Sequence, residues 1–381
     1  MDTYITKSLR PAWLEIDLNQ LKKNMDLIID DMKVQPNERL KFTSVVKDQA
    51  YGHGAVKIAG VIKRYNPEFF AVATIDEALE LRKFYPDINI FLFGERPINQ
   101  WKICLENDFT IFIHDLKLLE EYRRLSERFN KKARIIVEID TGLSRYGFRW
   151  DRASEILSYM FSEKRIKIHS LMSHFAMSDE LDKTFANKQL SRFHHLINKI
   201  ESFEGNPCFY HMCNSGGYLD LPNAHFDMVR IGILPLGVFP SSVCRRIQGL
   251  TPIMSLKAKI AYIREIEKGD HVGYGMRFTA DKKMTIAVIP VGYGDGYPRV
   301  RNEGWVLIKG VKAPIIGGNA MDVMMVDISH IPGVQLWEET VLLGCQGKEE
   351  ITVHDLAKLK NTVSYDVMNN FNRRLPRIYI E

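Results

Sequence analysis

Apolar residues at Leu18, Leu21, Met25, Ile28 and Met32 recur at three- and four-residue intervals, which predicts an amphipathic helix with the Asp17 carboxylate placed to cap its first turn. The run from Leu40 to Val46 has another texture: short, apolar and β-branched, it predicts a buried strand of a parallel sheet. Beyond it the two patterns alternate. Strands are predicted at 69–73, 89–93, 109–113, 134–139, 167–172, 208–211 and 228–231, with helical periodicity between them and a capping box, Thr74-Ile75-Asp76-Glu77, opening one helix. With 42–46 these make eight strands alternating with helices, the pattern of a closed (β/α)8 barrel. From about Thr251 the runs become shorter and β-rich, with glycine and proline turns, at 256–263, 285–289, 305–308, 324–328, 340–343 and 377–380. They predict a second, mostly antiparallel β domain. The expected division is a barrel over residues 1–245 and a β domain over 246–381.

A chain of 381 residues with 45% hydrophobic and 26% charged side chains is ordinary globular material, long enough for two cores. Its net charge of +5 is small for that length, and the basic residues are interleaved with acids, so nucleic acid and anionic membrane surfaces are poor partners. A small-molecule substrate is expected. No apolar stretch has the length of a membrane span, and the first thirty residues lack a secretory apolar core, which together predict a cytoplasmic protein. The five cysteines are scattered, without any C-x-x-C pair, and are expected to be reduced, inert thiols. No histidine and acid spacing suggests a metal.

On a barrel, residues just past strand ends share one mouth, where active sites of this architecture are assembled. Lys47 follows the strand at 42–46. A strand-end lysine is either a side chain snorkelling to water or an amine that sheds its proton on desolvation and forms an imine with an aldehyde. The same mouth receives Arg145, His174, His211, the stretch Asn214-Ser215-Gly216-Gly217, and Arg230-Ile231-Gly232-Ile233. Ser215, Gly232 and Ile233 suit an oxyanion cradle, because backbone N–H groups approach an anion closely where side chains are small. Arg145 suits the planar, bidentate geometry of a carboxylate. In the β domain, Tyr274 sits between Gly273 and Gly275, and glycines also punctuate 291–297 and 317–322.

These motifs, in this order, resemble the alanine racemase family of pyridoxal-phosphate enzymes, almost from end to end. The resemblance rests on Val46-Lys47-Asp48-Gln49-Ala50-Tyr51-Gly52-His53-Gly54, Asp140-Thr141-Gly142 with Arg145, Ser173-His174-Phe175-Ala176, Phe226-Asp227-Met228-Val229-Arg230-Ile231-Gly232, Val272-Gly273-Tyr274-Gly275 and Met321-Asp322. It implies that Lys47 carries pyridoxal 5'-phosphate in imine linkage, and that Tyr51, Ser215, Gly232, Ile233 and Tyr365 hold its phosphate. His174 would lie against the pyridine ring, and Arg230, oriented by His211, would face the ring nitrogen. Because a guanidinium donates and does not give up its proton, that nitrogen would stay unprotonated, which favours racemisation over transamination. The resemblance further implies two bases on opposite faces of the substrate carbon, Lys47 and Tyr274, with Tyr274 supplied by the partner subunit of a head-to-tail homodimer. Arg145 and Met321 would line the carboxylate pocket of an amino-acid substrate.

Three departures from the family pattern stand out. Asp48-Gln49 replaces the usual Ala-Asn, Pro235-Leu236-Gly237 replaces an aromatic, and Glu138 stands where many members carry a carbamylated lysine, so it is expected to offer a carboxylate to Arg145 directly. Tyr365 would narrow the pocket, which favours alanine. Serine or another amino acid is the alternative substrate, and a non-catalytic cofactor-binding barrel is the alternative function.

Overall fold

The computed structural model describes residues 10–206 and 209–381. They form two compact units: a barrel unit of residues 21–50 and 54–251, and a β unit of residues up to 20, 51–53 and 252–381.

The barrel strands are β2 (Lys41–Val45), β3 (Phe69–Val72), β4 (Ile90–Leu92), β5 (Thr110–Ile113), β6 (Ala133–Asp140), β8 (Ile166–Met172), β9 (Tyr210–His211) and β10 (Met228–Ile231). A two-residue strand β7 (Phe148–Arg149) pairs with the end of β6. The eight are parallel and adjacent in chain order, with β10 returning to pair with β2. Between β9 and β10 the ring is completed by single bonds, Asp227 N–H donating to the Tyr210 carbonyl (3.1 Å) and Arg230 N–H to that of Cys213 (3.0 Å). Eight strands were expected and the structure has them; the strand expected at 208–211 begins at a residue, Cys208, outside those described. Strands β3, β4 and β5 are buried along their whole length, on both faces, as their apolar runs require.

The predicted first helix spans Leu18–Lys33, and its five periodic apolar residues are all buried. Asp17 Oδ1 accepts from the N–H groups of Asn19 and Gln20, both at 2.9 Å, satisfying donors that have no partner within the helix. The capping box is present too: Thr74 Oγ1 accepts from Glu77 N–H and Glu77 Oε2 from Thr74 N–H.

In the β unit the sheet is mostly antiparallel. The strand at the start of the chain, β1 (Ala12–Asp17), belongs here rather than with the barrel expected over the first 245 residues: it pairs antiparallel with β11 (Met254–Lys259) and parallel with the closing strand Arg377–Ile380. Two details differ from expectation. The single strand predicted at 256–263 is two, Met254–Lys259 and Tyr262–Ile266, because the backbone changes partners between them: Ile260 N–H donates to Glu338 and Ala261 N–H to Val288. Two helices, Val353–Lys360 and Ser364–Asn370, occupy a region read as β-rich.

Candidate active site

Lys47 lies two residues beyond β2, and the chain then makes one turn of left-handed helix. Asp48, Gln49, Ala50 and Tyr51 have φ of 54°, 54°, 50° and 53°. A left-handed conformation costs an L-residue about 1–2 kcal/mol, so four in a row persist only where the surroundings over-determine them. Here they do. Ala50 N–H donates to the Val46 carbonyl (2.9 Å) and Gly54 N–H to that of Gln49 (2.7 Å). Asp48 N–H donates to Glu77 Oε1 (2.5 Å), the same carboxylate that closes the capping box, and Gln49 Nε2 donates to Glu80 Oε2 (2.7 Å). The turn directs the partly buried Lys47 ammonium over the Phe93 ring, 5.5 Å from its centroid. Burial, and then the positive charge of Arg145, hold the lysine pKa below its ordinary value, the direction that makes an amine nucleophilic.

Arg230, on β10 and only 2% exposed, is the hub of the barrel mouth. Its Nη1 donates to His211 Nδ1 (3.0 Å); its Nη2 donates to His174 Nδ1 (2.9 Å) and to the carbonyls of Ser173 (3.0 Å) and Met212 (3.1 Å). A guanidinium has no acceptor, so both imidazoles must present a bare Nδ1 and carry their proton on Nε2. The Nε2–H of His211 accordingly donates to Ser170 Oγ (2.9 Å). Burial and the charge of Arg230 keep both histidines well below their ordinary pKa, hence neutral. Burial brings Arg230 itself down to about 10, still well above neutrality. Its Nε remains a buried N–H without a partner among the described residues.

Arg145, beyond β6, is half exposed, with Nη2 3.9 Å from Oε1 of the buried Glu138. The other oxygen of Glu138 lies 3.9 Å from Nδ1 of His114, a residue the sequence reading passed over. It also passed over Gln189, whose Nε2 donates to the His174 carbonyl (3.0 Å) and to Thr141 Oγ1 (3.3 Å) while its Oε1 accepts from Ala176 N–H (2.9 Å). Thr141 in turn meets Ser173 Oγ (2.8 Å), so the segment carrying His174 is pinned on both sides. Both residues left a signal. Gln189 sits on the apolar stripe Ala186, Phe193, Leu196, Ile200 of its helix, and His114 directly follows an apolar strand, much as Lys47 does.

The stretch Asn214-Ser215-Gly216-Gly217 is a buried helix start rather than a surface turn: Asn214 Oδ1 caps Gly217 N–H (2.9 Å). A Cβ on Gly216 would lie 2.8 Å from Ser178 Oγ, so the close approach there needs glycine. Ser215 Oγ faces Gly232 N–H at 3.4 Å, with Ile233 buried next in the chain. Cys213 is an inert thiol whose pKa burial pushes far up.

In the β unit, Tyr51 and Tyr365 meet edge to face, ring centroids 5.7 Å apart. Tyr274 is 78% exposed and Met321 52%. Gly292 and Gly294 are explained by contact: Tyr293 N–H donates to the Ala320 carbonyl and Gly294 N–H to that of Met321, and a Cβ on Gly292 would fall 2.4 Å from the Met321 oxygen. A Cβ on Gly296 (φ 96°) would lie 1.9 Å from the Asn370 carbonyl oxygen. Within this loop Asp295, fully buried, accepts two hydrogen bonds from Arg10.

The sequence profile of the N-terminal domain of alanine racemase matches residues 16–240, and that of its C-terminal domain residues 253–379. The chain is 37% identical to alanine racemase 2 of Caldanaerobacter subterraneus subsp. tengcongensis over 374 residues, covering 98% of this chain and 95% of the relative. It is 35% identical to alanine racemase of Clostridium tetani, over 98% of this chain and 96% of that one. Among solved structures it resembles alanine racemase of Clostridium difficile 630, with a TM-score of 0.91 at 30% identity over 98% of this chain and 97% of that one. Alanine racemase from the D-cycloserine producer Streptomyces lavendulae gives the same TM-score and identity, with 98% of each chain covered.

Proposed function

The chain belongs to the alanine racemase family, it interconverts L- and D-alanine, and from that premise we propose which of its residues do so. The family uses pyridoxal phosphate, and the observation that carries the assignment to this chain is the buried, unpartnered Nε–H of Arg230, an orphan donor that suits a pyridine nitrogen. When bound, that group supplies an electron sink that makes the substrate's Cα proton labile.

Lys47 would hold the cofactor and, with its lowered pKa, serve as the base on one face of the substrate carbon. Arg230 is a donor that two neutral histidines and two carbonyls keep in one orientation, so it would hydrogen-bond the ring nitrogen without protonating it. Ser215 with the N–H groups of Gly232 and Ile233 would meet phosphate oxygens. Tyr51 and Tyr365 are assigned to the phosphate by family resemblance. Arg145 would grip the substrate carboxylate, with Glu138 in place of a carbamylated lysine.

Tyr274 is the second base, acting on the barrel of another copy in a homodimer. Its exposure, together with that of Met276 and Met321, supports this reading, since apolar side chains so exposed call for a covering surface. We place the protein in the cytoplasm; among the described residues no helix is long and apolar enough to cross a membrane. Borohydride reduction of the cofactor-loaded protein followed by peptide mapping tests the assignment: label on Lys47 is expected, and label on another lysine refutes it.

A further inference from the structure

We propose that His114 is a positioning residue for substrate binding: its Nδ1–H, donated to Glu138, turns that carboxylate toward Arg145 and so aims the guanidinium at the substrate's carboxylate. This rests on the reading of Arg145 given above.

Strand β5 ends at Ile113, which is paired with Val137 of β6, so His114 and Glu138 emerge side by side. The His114 side chain is 10% exposed, and its ring lies parallel to Phe112 and stacks on Tyr146, 4.9 Å between centroids. Neither ring nitrogen has a hydrogen-bond partner among the described residues. Two carboxylates flank it: Glu138 Oε2 is 3.9 Å from Nδ1 and Glu95 Oε2 4.0 Å from Nε2, each about 1 Å beyond a hydrogen bond. A buried imidazole with both nitrogens idle is rare, because each lost its water on burial. A small side-chain rotation of Glu138 supplies the missing partner.

Which carboxylate receives the proton follows from charge and exposure. Burial together with Arg96 and Arg145 keeps the imidazole neutral, with a pKa near 4, so it has one N–H to give. Glu95 is 34% exposed and served by water; Glu138 is 5% exposed. The N–H is therefore worth more to Glu138. Held in this way, the anion keeps one oxygen on His114 and the other on Arg145, whose remaining N–H groups are left for the substrate. Were the ring merely a filler between aromatic neighbours, phenylalanine would replace it without loss.

The test compares His114→Phe, His114→Asn, Glu138→Gln and the double variant His114→Phe/Glu138→Gln in the loaded enzyme. His114→Phe should raise KM for alanine about tenfold, the effect of losing one charge-assisted hydrogen bond, with a smaller change in kcat. His114→Asn, which retains an amide N–H, should stay within about threefold of wild type. In the Glu138→Gln background the added His114→Phe should change KM by less than about twofold, since the carboxylate that His114 orients toward Arg145 is already gone. An unchanged KM in His114→Phe, or the same factor in both backgrounds, overturns the proposal. Glu138→Gln with unchanged KM overturns the reading of Arg145 as well, so the two failures are distinguishable. If His114→Phe does not fold, His114→Ala takes its place. Independently of activity, ¹⁵N shifts of the His114 imidazole should report protonated Nδ1; the Nε2-protonated tautomer refutes the assignment.

Discussion

Replacing Asp48 weighs the backbone strain beside Lys47 most directly. Asp48 has φ 54° and ψ 50° and an exposed side chain. The left-handed conformation costs a residue with a Cβ about 1–2 kcal/mol, while glycine, which avoids that clash, loses about 0.5–1 kcal/mol more chain entropy on folding. Asp48→Gly should therefore be more stable than Asp48→Ala by about 0.5–1 kcal/mol, an increase in Tm of about 1–4 °C for a unit of this size. Its neighbours should gain less from the same relief. Ala50→Gly deletes a buried methyl worth about 0.8 kcal/mol, and Gln49→Gly removes the bonds from Gln49 to Glu80 and from Ala55 N–H. The control is Lys23, exposed in the right-handed helix Leu18–Lys33. There glycine should be less stable than alanine by about 1 kcal/mol. Thermal unfolding of the four variants gives the two differences, and their signs must be opposite. If glycine lowers Tm relative to alanine at 48 as it does at 23, the turn is not left-handed in the folded protein.

Other expectations follow from the site. Lys47→Ala and Tyr274→Phe homodimers should each be nearly inactive, whereas co-refolded mixtures should regain about a quarter of wild-type sites, since about half the dimers are mixed and each has one intact site; confirmed heterodimers as inactive as the parents would rule out Tyr274 as a base shared across the interface. Arg230→Glu should lower racemisation by orders of magnitude and raise the ratio of pyridoxamine formation to racemisation; an unchanged ratio counts against the role given to the unprotonated ring nitrogen. Finally, His114 has its pKa near 4 in the folded chain against an ordinary 6.5. The unfolded chain takes up a proton as pH falls through 6.5 and the folded chain does not, so stability should fall between about pH 6.5 and 4. His114→Asn should flatten that slope by up to about 1.4 kcal/mol per pH unit, measured by urea unfolding at pH 7, 6 and 5.

Much of the fold was legible because local pattern and tertiary role coincide. The stripe Leu18, Leu21, Met25, Ile28, Met32 is the buried face of its helix, and the apolar runs at Phe69–Val72 and Thr110–Ile113 are strands buried on both faces. What escaped depends on contacts distant in sequence. Nothing in Asp48-Gln49-Ala50-Tyr51 announces a left-handed turn, because the carboxylates that hold it, Glu77 and Glu80, come from a later helix. Residues 256–263 read as one strand because propensity cannot show that the backbone changes partners at Ile260. The glycines at 292 and 294 suggested a turn of unknown purpose, and their reason, the approach of Met321, lies some thirty residues on. His114 was missed for another cause. Its place just past the end of β5 is the same signal that marks Lys47 past β2.

The barrel's charge balance links these observations. Among its described buried residues, Arg96, Arg230 and Glu138 are the charged ones, and Lys47 and Arg145 add two more cations at the mouth. Buried arginines are ordinarily matched by carboxylates, yet Arg230 is held by neutral nitrogens and carbonyls. Such an arrangement leaves positive charge uncompensated, which adds to burial, the larger cause, in lowering the pKa values of Lys47, His174, His211 and Arg230. An anionic phosphate and a substrate carboxylate would supply the missing negative charge, while burial, reinforced by the same excess, keeps Lys47 ready to lose its proton and both histidines without one. An acid in place of His211 would relieve the imbalance, but it would accept a proton from its surroundings and could pass it toward the ring nitrogen. On the proposed role of Arg230, neutral acceptors hold it without offering that route, so the polarity of the site and the preference for racemisation would have one physical origin.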